Sequence, residues 1–366
     1  MSLPSESLTV LALQKFKRDF WGVFSFSIII LVGIIALMAY IIAPDNSTNA
    51  NQMHLSIHSQ PPGFEVTMLS LNNGGDNQSD QSLVSELFFG KGSAITEIPI
   101  SDYTIKGDTL YFKEYTRTHV EQEERWVQLT RGQAENMDQL IDQRTFWFGT
   151  DKYGRDYLSR VLIGSRISFS IGFVAVLISL FIGLIMGSLA GYLAGKWDAL
   201  IMWVINVTWS IPTLLLVMAI TLALGKGFWQ VFIAVGLTMW VEVARIVRGQ
   251  IISIKEMQYV TAARALGYSD FRIITRHILP NIIAPLIVIC AANFAAAILI
   301  ESGLSFLGIG AQPPVASWGS MIRDHYNYII LGQPYLALIP GFCIMLLVMA
   351  FMLMGNAIRD AFDVKS

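Results

Sequence analysis

Long stretches of uncharged, apolar residues dominate the chain and predict membrane-spanning helices. A helix that crosses the hydrocarbon core of a bilayer needs about 20 predominantly apolar residues. The stretches of suitable composition are, in chain order, 20–43, 167–195, 199–225, 227–241, 278–300 and 329–358. The fourth is short as written, but an apolar helix can continue from it through Val243, Ala244 and Ile246. The pattern therefore predicts an all-α polytopic membrane protein with six transmembrane helices.

Residues 45–147, between the first two stretches, follow a different pattern. Residues 64–68 alternate apolar and polar positions, as in a half-buried β-strand. Residues 103–115 contain two short β-prone runs on either side of a Lys-Gly-Asp turn, which predicts a hairpin. Residues 72–80 are rich in Asn, Asp and Gly, which is typical of a loop. We therefore expect a small, mainly β domain here.

The composition supports a membrane protein and divides its charge unevenly. Hydrophobic residues make up 54% of the chain and charged residues 14%, with a mean hydropathy of +0.53, well away from the average soluble domain. Residues 45–147 carry 15 acidic and 7 basic side chains, whereas the remainder carries 12 acidic and 18 basic ones. We therefore expect the acidic block and the basic loops to lie on opposite sides of the membrane.

The placement of Lys and Arg in short loops predicts the orientation, because such loops remain in the cytoplasm. Lys15, Lys17 and Arg18 precede the first stretch, and Arg359 and Lys365 follow the last. The densest basic cluster lies between the fourth and fifth stretches and comprises Arg245, Arg248, Lys255, Arg264, Arg272 and Arg276. With six spans, both termini are expected in the cytoplasm and residues 45–147 outside it. A partner protein or anionic lipid, and not nucleic acid, suits a basic cluster in this position.

The segment Tyr259–Asn281, YVTAARALGYSDFRIITRHILPN, is short, basic and helical in pattern. A spacing of three residues places four apolar side chains on one helical face: Met257, Val260, Ala263 and Leu266. Gly267 suits a left-handed helix end, and Ser269 or Asp270 can cap a following helix. Pro280 can mark the start of the fifth span. A helix lying in the membrane interface is the alternative interpretation of this segment.

Other polar and small residues have structural interpretations. The glycines at 183, 187, 191 and 195 recur every four residues, which predicts close packing of the second span against another helix. Cys290 and Cys343 lie in apolar runs, where packing is favoured over a disulfide. His54 and His58 are spaced for a shared helix face, but a solvated pair is favoured over a metal site. The sequence contains no G-x-x-x-x-G-K-[ST] phosphate loop and no evident nucleophile–base pair, so we expect no cofactor, metal or catalytic residue.

Several motifs together carry a resemblance to a known family. They are FGTDKYGRDYLSRVLIGSRIS (148–168), VRGQI (247–251), YVTAARALG (259–267), RHILPN (276–281), ESGLSFLGIGAQPPVASWGSM (301–321) and IRDAFD (358–363). In this order they resemble the C-type permease subunit of the oligopeptide/dipeptide family of ATP-binding-cassette importers. The resemblance covers about 220 residues. It implies a binding-protein-dependent permease of the inner membrane, which forms half of a peptide translocation pathway.

The resemblance also implies partners and site residues. The partners are a second homologous permease subunit, two cytoplasmic ATP-binding subunits that hydrolyse ATP, and an extracytoplasmic solute-binding protein. Residues 255–280 correspond to the loop that couples the permease to the ATPases, with Thr261 where the family has glutamate. The coupling residues implied are Tyr259, Ala262, Ala263, Gly267, Asp270, Arg276 and Pro280. The outer gate or binding-protein contact implied comprises Glu301, Gln312, Pro313 and Trp318.

Within this interpretation, Glu301 has two possible roles, lining the gate or ending a helix as a satisfied carboxylate. Residues 311–321, which contain two prolines, are expected not to continue a helix and to fold over the outer face. The domain organisation expected is 1–44 as cytoplasmic terminus and first span, 45–147 as extracytoplasmic insertion, and 148–366 as five-helix core.

Alternatives to peptide import stay open on the sequence alone. The same fold can import another solute, such as a nickel chelate or an antimicrobial peptide, since the binding protein sets solute specificity. A membrane-anchored sensor that binds a ligand with residues 45–147 belongs to a different class. Such a sensor would need one or two spans and a cytoplasmic output domain, and the pattern predicts neither.

Overall fold

The computed structural model describes residues 8–72, 83–92, 95–116, 123–129, 140–225 and 227–363. Most of these residues are helical, and a small antiparallel sheet accompanies the helices. The loop predicted at 72–80 lies almost wholly outside the described residues, as does Lys365.

The helices occur in two runs separated by the sheet. The first run comprises α1 (Leu8–Arg18) and α2 (Phe20–Ile42). One short helix, α3 (Leu83–Phe89), lies between the first two strands of the sheet. The second run comprises α4 (Tyr157–Leu193), α5 (Gly195–Trp209), α6 (Thr213–Leu224), α7 (Phe228–Lys255), α8 (Gln258–Ala265), α9 (Asp270–Ile273), α10 (Ile283–Phe306), α11 (Trp318–His325) and α12 (Tyr335–Phe362). A π-helical turn (Ile274–Ile278) and a 3-10 turn (Leu279–Ile282) join α9 to α10.

Among the described residues, five helical stretches are long and apolar enough to cross a membrane: α2, α4, α7, Asp270–Phe306 and α12. The pair α5 and α6 adds a sixth candidate, broken by a bend of 92°. The span predicted over 199–225 is therefore present as two helices joined at a bend. Pro212 lacks a backbone N–H and disfavours helical geometry at the residue before it, so the chain leaves the helix there. Composition alone did not show this break, because every residue around it is uncharged.

The described chain divides into two compact units. One contains residues 1–33, 167–312 and 341–366, and the other contains 34–166 and 313–340. The second unit therefore extends beyond residues 45–147 on both sides. The domain boundaries at 44/45 and 147/148 stay a prediction.

In the first unit, three of the four glycines spaced by four residues bring α4 close to α7. A Cβ at Gly183 would lie 2.5 Å from the Cβ of Val243, and one at Gly187 would lie 2.6 Å from the carbonyl oxygen of Ala244. A Cβ at Gly191 would lie 2.9 Å from the carbonyl oxygen of Arg248. Close packing at these three positions is confirmed. The interpretation is wrong for the glycine at 195, which begins α5 with a φ of 60° and has open space around it.

In the second unit, the sheet has the strand order β4-β3-β2-β1-β5, and every pairing is antiparallel. Its strands are β1 (Phe64–Asn72), β2 (Ile95–Lys106), β3 (Thr109–Glu114), β4 (Arg125–Gln128) and β5 (Ile141–Phe146). The hairpin predicted over 103–115 is confirmed, with Gly107 at a φ of 62° in the turn. Both faces of the sheet bury apolar side chains, Leu69, Leu110 and Phe112 on one face and Met68 and Phe146 on the other.

The segment 45–63 packs closely on the loop that precedes α4. The backbone N–H of Ser59 donates to the carbonyl of Asp151 at 2.9 Å, and that of Gln60 donates to Oγ1 of Thr150 at 2.8 Å. A Cβ at Gly154 would overlap the carbonyl group of His54. The glycine in this motif therefore permits a close approach of two backbones.

Candidate coupling site

The loop between α7 and α10 is anchored to the helices by one apolar face. Val260 and Ala263 of α8 are buried, and so are Ile273 of α9 and Ile278 of the π-helical turn. They share one cluster with residues of α4 and α7: Tyr192, Val243, Val247 and Ile251. This anchoring connects the loop to the long helix α7.

Gly267 ends α8 in the left-handed conformation, with a φ of 77°. The Tyr268 N–H donates to the Ala263 carbonyl at 3.2 Å, and the Gly267 N–H donates to the Arg264 carbonyl at 3.0 Å. These two bonds form a complete Schellman motif, which satisfies carbonyls that the end of a helix leaves free. The predicted left-handed end at Gly267 is confirmed, and it sets the direction in which α9 leaves.

Asp270 begins α9 and ties it to the end of α4. Its Oδ1 accepts a hydrogen bond from the Tyr192 hydroxyl at 2.6 Å, and Lys255 Nζ donates to the Tyr192 carbonyl at 3.4 Å. Ser269 occupies the N-cap position, but its side chain makes no capping hydrogen bond. Asp270 therefore holds the start of α9 against the end of α4.

The opposite face of the loop presents apolar side chains to the surroundings. Leu266 is 74% exposed and Phe271 is 77% exposed, on either side of Gly267. Met257, Tyr259 and Tyr268 are also exposed, and we call these five residues the apolar ridge. The apolar helix face predicted from spacing is thus half right: Val260 and Ala263 are buried, whereas Met257 and Leu266 belong to the ridge.

Positive charge surrounds the apolar ridge. Arg264, Arg272 and Arg276 are all exposed. The Arg272 guanidinium lies 5.4 Å from the centre of the Tyr268 ring. The ring of His277 stacks on that of Tyr268, with the ring centres 5.8 Å apart. Sequence reasoning missed this stack, because only the π-helical turn brings residues 268 and 277 together.

The remaining predicted coupling residues lie on the same loop. Ala262 and Pro280 are exposed, and Pro280 stands in the 3-10 turn before α10, close to the predicted start of that span. The structure therefore gathers the predicted residues on one compact loop with an anchored face and an exposed face.

Comparison with known proteins identifies the family. The sequence profile of the binding-protein-dependent transport system inner membrane components matches residues 161–365. The chain belongs to this family. The resemblance to importer permeases that the motifs carry is thereby confirmed, and with it a multi-pass membrane protein.

Named relatives of the permease are permeases of two transport systems. It is 43% identical over 219 residues to the glutathione transport system permease protein GsiD of Shigella flexneri serotype 5b (strain 8401), covering 60% of this chain and 72% of that protein. It is 42% identical over 219 residues to the dipeptide transport system permease protein DppC of Bacillus subtilis (strain 168), covering 60% and 68%. A solved inward-facing structure of the MetNI methionine ABC transporter is 18% identical, with a TM-score of 0.48 over 56% of this chain and 97% of that chain.

Two of the predicted gate residues of the permease lie near the end of α10. Glu301 is 1% exposed, and its Oε1 accepts a hydrogen bond from the Ser305 hydroxyl at 2.6 Å. Oγ of Ser305 in turn accepts from the Ala311 N–H at 3.0 Å. The Gln312 amide donates to the carbonyls of Gly308 and Gly310, each at 3.0 Å. Both side chains thus brace the turn that follows α10.

The other two predicted gate residues belong to the second unit. Pro313 is exposed, whereas Trp318 is only 3% exposed and its Nε1 donates to the Val161 carbonyl at 3.0 Å. Ser317 caps α11 through a capping box with Ser320. The prediction that residues 311–321 do not continue a helix is confirmed, because α10 ends at Phe306 and this cap starts a separate helix at Trp318.

The predicted solvated histidine pair is wrong for His54. Its side chain is buried, with Nε2 3.8 Å from Glu97 Oε2, while Arg144 donates to both oxygens of Glu97 at 2.5 and 2.8 Å. His58 is exposed, and its Nδ1 lies 2.9 Å from the Leu55 carbonyl. Within the described ranges, no group of three His, Cys, Asp or Glu side chains is placed to hold a metal ion.

Proposed function

We propose that this chain is a permease subunit of an ATP-driven peptide importer, in which it forms half of the translocation pathway. The observation that carries the proposal is the loop between α7 and α10, anchored on one face and apolar on the other. The named relatives, permeases for glutathione and for dipeptides, support peptides as the solute class.

The apolar ridge is the surface that would meet a cytoplasmic ATPase. An exposed apolar patch that is bordered by charged residues is typical of a site that binds another protein. Leu266 and Phe271 project beside a fixed turn, so a force on them is transmitted through Val260 to α7 instead of deforming the loop. The arginines beside the ridge favour a partner with an acidic rim.

The proposed orientation places both termini and the loop in the cytoplasm. The Lys15 ammonium donates to the Asp363 carbonyl at 3.0 Å, so the amino-terminal helix and the end of α12 lie together. A shared position for the two ends supports an even number of crossings. The sheet of residues 45–147, which follows the first span, then lies outside the cytoplasm.

The solute-binding protein would be received on the second unit. The Gln333 amide donates to the Ser59 carbonyl at 2.8 Å, and the Tyr335 hydroxyl donates to the Gln60 carbonyl at 2.9 Å. The segment 313–334, which includes the predicted contact at Pro313, is thereby tied to the segment before the sheet. The partner ATPases would supply the energy, and a second permease would complete the pathway.

The test is to remove the apolar surface of the ridge without touching its anchored face. Leu266→Ser combined with Phe271→Ser should leave membrane insertion intact, because both side chains are more than 70% exposed. Co-purification of the ATPase subunits should fall sharply. Trp126→Ser, which removes an aromatic side chain that is 66% exposed from β4, is the control and should retain the ATPases. Normal ATPase binding by the double variant would refute the role of the ridge.

A further inference from the structure

A cavity of about 190 Å³ lies at the bend of the broken span, between α5, α6, α7 and α10. Its walls include side chains with hydroxyl and carboxylate groups: Thr208, Thr213, Thr238 and Glu242. Trp209 and Ile300 contribute apolar surface. The cavity therefore combines a carboxylate with polar and apolar walls inside the membrane-spanning part of the chain.

Glu242 lies near the middle of α7 and is exposed. α7 extends from Phe228 to Lys255, and at 1.5 Å per residue Glu242 is about 20 Å along the axis from either end. An acidic side chain on a membrane-spanning helix is costly, and it is retained where it faces protein or lines a polar cavity or a solute path. The bend between α5 and α6 leaves such a cavity beside it.

The two arginines that follow Glu242 on α7 already have partners. Arg248 forms a bidentate ion pair with Asp198, at 2.5 and 2.7 Å. The Arg245 guanidinium stacks 3.6 Å from the centre of the Trp209 ring and donates to the Asn206 amide oxygen at 3.3 Å. None of these contacts involves the Glu242 carboxylate. Within the part of the chain that the structure describes, no residue forms a hydrogen bond or ion pair with Glu242.

The other polar walls favour a donor ligand. The Thr208 hydroxyl donates to the Val204 carbonyl at 2.9 Å, and the Thr238 hydroxyl donates to the Val235 carbonyl at 2.8 Å. Because each hydroxyl donates its proton to a carbonyl of its own helix, its oxygen can only accept a hydrogen bond from a group in the cavity. Two acceptor oxygens and a carboxylate are the surroundings that an ammonium group requires. The cavity is large enough to hold one end of a peptide.

We propose that Glu242 binds the amino-terminal ammonium group of the transported peptide at the α5–α6 bend. This inference rests on the proposed function, and it deepens it by assigning one subsite for one end of the solute. A cationic side chain of the second permease is the competing partner for Glu242. An ion pair between subunits would need the second permease to pack directly against Glu242. Here a cavity with further acceptor oxygens adjoins the carboxylate, and this open space favours the solute.

The test compares two peptides that differ only in the ammonium group. Uptake of dialanine and of N-acetyl-dialanine is measured in vesicles that contain the complete transport complex, with the affinity of the binding protein for each peptide measured separately. In the wild type, we expect the ratio of dialanine uptake to N-acetyl-dialanine uptake to exceed the ratio of the two binding-protein affinities by about ten-fold. A factor of ten corresponds to about 1.4 kcal/mol. Glu242→Gln should abolish this excess preference, and Glu242→Asp, which keeps the charge, should retain it.

Each other outcome contradicts a specific part of the proposal. An unchanged preference in Glu242→Gln would overturn the ammonium subsite while leaving peptide import intact. Loss of the second permease from purified Glu242→Gln complexes, with retention in Glu242→Asp, would assign the carboxylate to a subunit contact and overturn the subsite. Failure of the wild-type complex to import either peptide would instead overturn the peptide assignment on which the subsite rests.

Discussion

Gly267 sets the path of the loop between α7 and α10 through its backbone conformation alone. Its φ is 77°, and no atom lies within 4 Å of the position that a Cβ would occupy. Gly267→Val should therefore cost about 1–2 kcal/mol through the left-handed conformation and not through a clash. We expect the variant to insert into the membrane, to bind the ATPases weakly because α9 is misdirected, and to lose peptide uptake. Co-purification and uptake in the same cells measure both effects.

A glycine in an ordinary helical position provides the control for this variant. Gly249, inside α7, also has open space around its Cβ position but no positive φ. Gly249→Ala should leave uptake unchanged and stabilise the helix by about 0.5–1 kcal/mol. Normal ATPase binding and uptake by Gly267→Val would show that the direction of α9 does not matter for coupling.

His54 gives the second unit a dependence on pH. Burial lowers the pKa of its imidazole below the usual 6.5, although the carboxylates of Glu97 and Asp45 oppose this shift and Arg144 adds to it. The folded chain then resists protonation that the unfolded chain accepts. The stabilising contribution of neutral His54 is therefore present above about pH 6.5 and is lost as pH falls toward the folded pKa.

We predict that His54→Gln reduces the acid sensitivity of the protein. The drop in thermal midpoint between about pH 7.5 and about pH 5.5 should be smaller in the variant than in the wild type. Some sensitivity should persist, because burial also lowers the pKa of His325. An equal drop in both proteins would show that His54 does not titrate differently on folding.

The sequence revealed Gly267 but not His54, for a physical reason. A glycine between two helical patterns predicts a left-handed conformation, since no other residue adopts a positive φ as readily. The environment of His54 depends instead on Glu97 and Arg144, which come from strands far along the chain. Spacing along the sequence does not show that these three side chains come into contact.

At the scale of elements, the contact between α4 and α7 depends on small residues. A Cβ at Gly187 would lie 2.6 Å from the Ala244 carbonyl oxygen and 2.7 Å from Val247 Cβ. Gly187→Ala should therefore force the two helices apart and cost about 1–3 kcal/mol, as overpacking does. The thermal midpoint of the purified protein in detergent measures this loss.

The same substitution at an open position isolates the steric effect. Gly303 lies within α10, with no atom within 4 Å of a Cβ. Gly303→Ala should leave the midpoint unchanged or raise it slightly. Equal midpoints for the two alanine variants would contradict the close contact between α4 and α7.

Sequence patterns predicted the existence of the elements better than their interruptions. The long apolar runs specify helices because a single segment in the bilayer satisfies its own backbone hydrogen bonds only as a helix. The break at Pro212 was missed because its surroundings are as apolar as the rest of the span. Strands β4 and β5 were missed because they are short and largely polar, so only their pairing with β3 and β1 defines them.

At the scale of the whole molecule, the proposed topology predicts which side of the membrane each loop occupies. After replacement of Cys290 and Cys343 by alanine, a cysteine at Asp108 in the β2–β3 turn should react with an impermeant thiol reagent in intact cells. A cysteine at Ser269 in the coupling loop should react only after lysis. Both positions are exposed, so burial does not bias the comparison. Labelling at Ser269 in intact cells would reverse or refute the topology.

We propose that this chain conducts peptide only when cytoplasmic ATPases drive it. The most direct measurement is uptake of radiolabelled dialanine by vesicles, with the components added one at a time. We predict uptake only when this chain, the second permease, the ATPases, the loaded binding protein and hydrolysable ATP are all present. We predict no ATP hydrolysis by this chain alone. Uptake without the ATPases, or with a non-hydrolysable ATP analogue, would contradict the account.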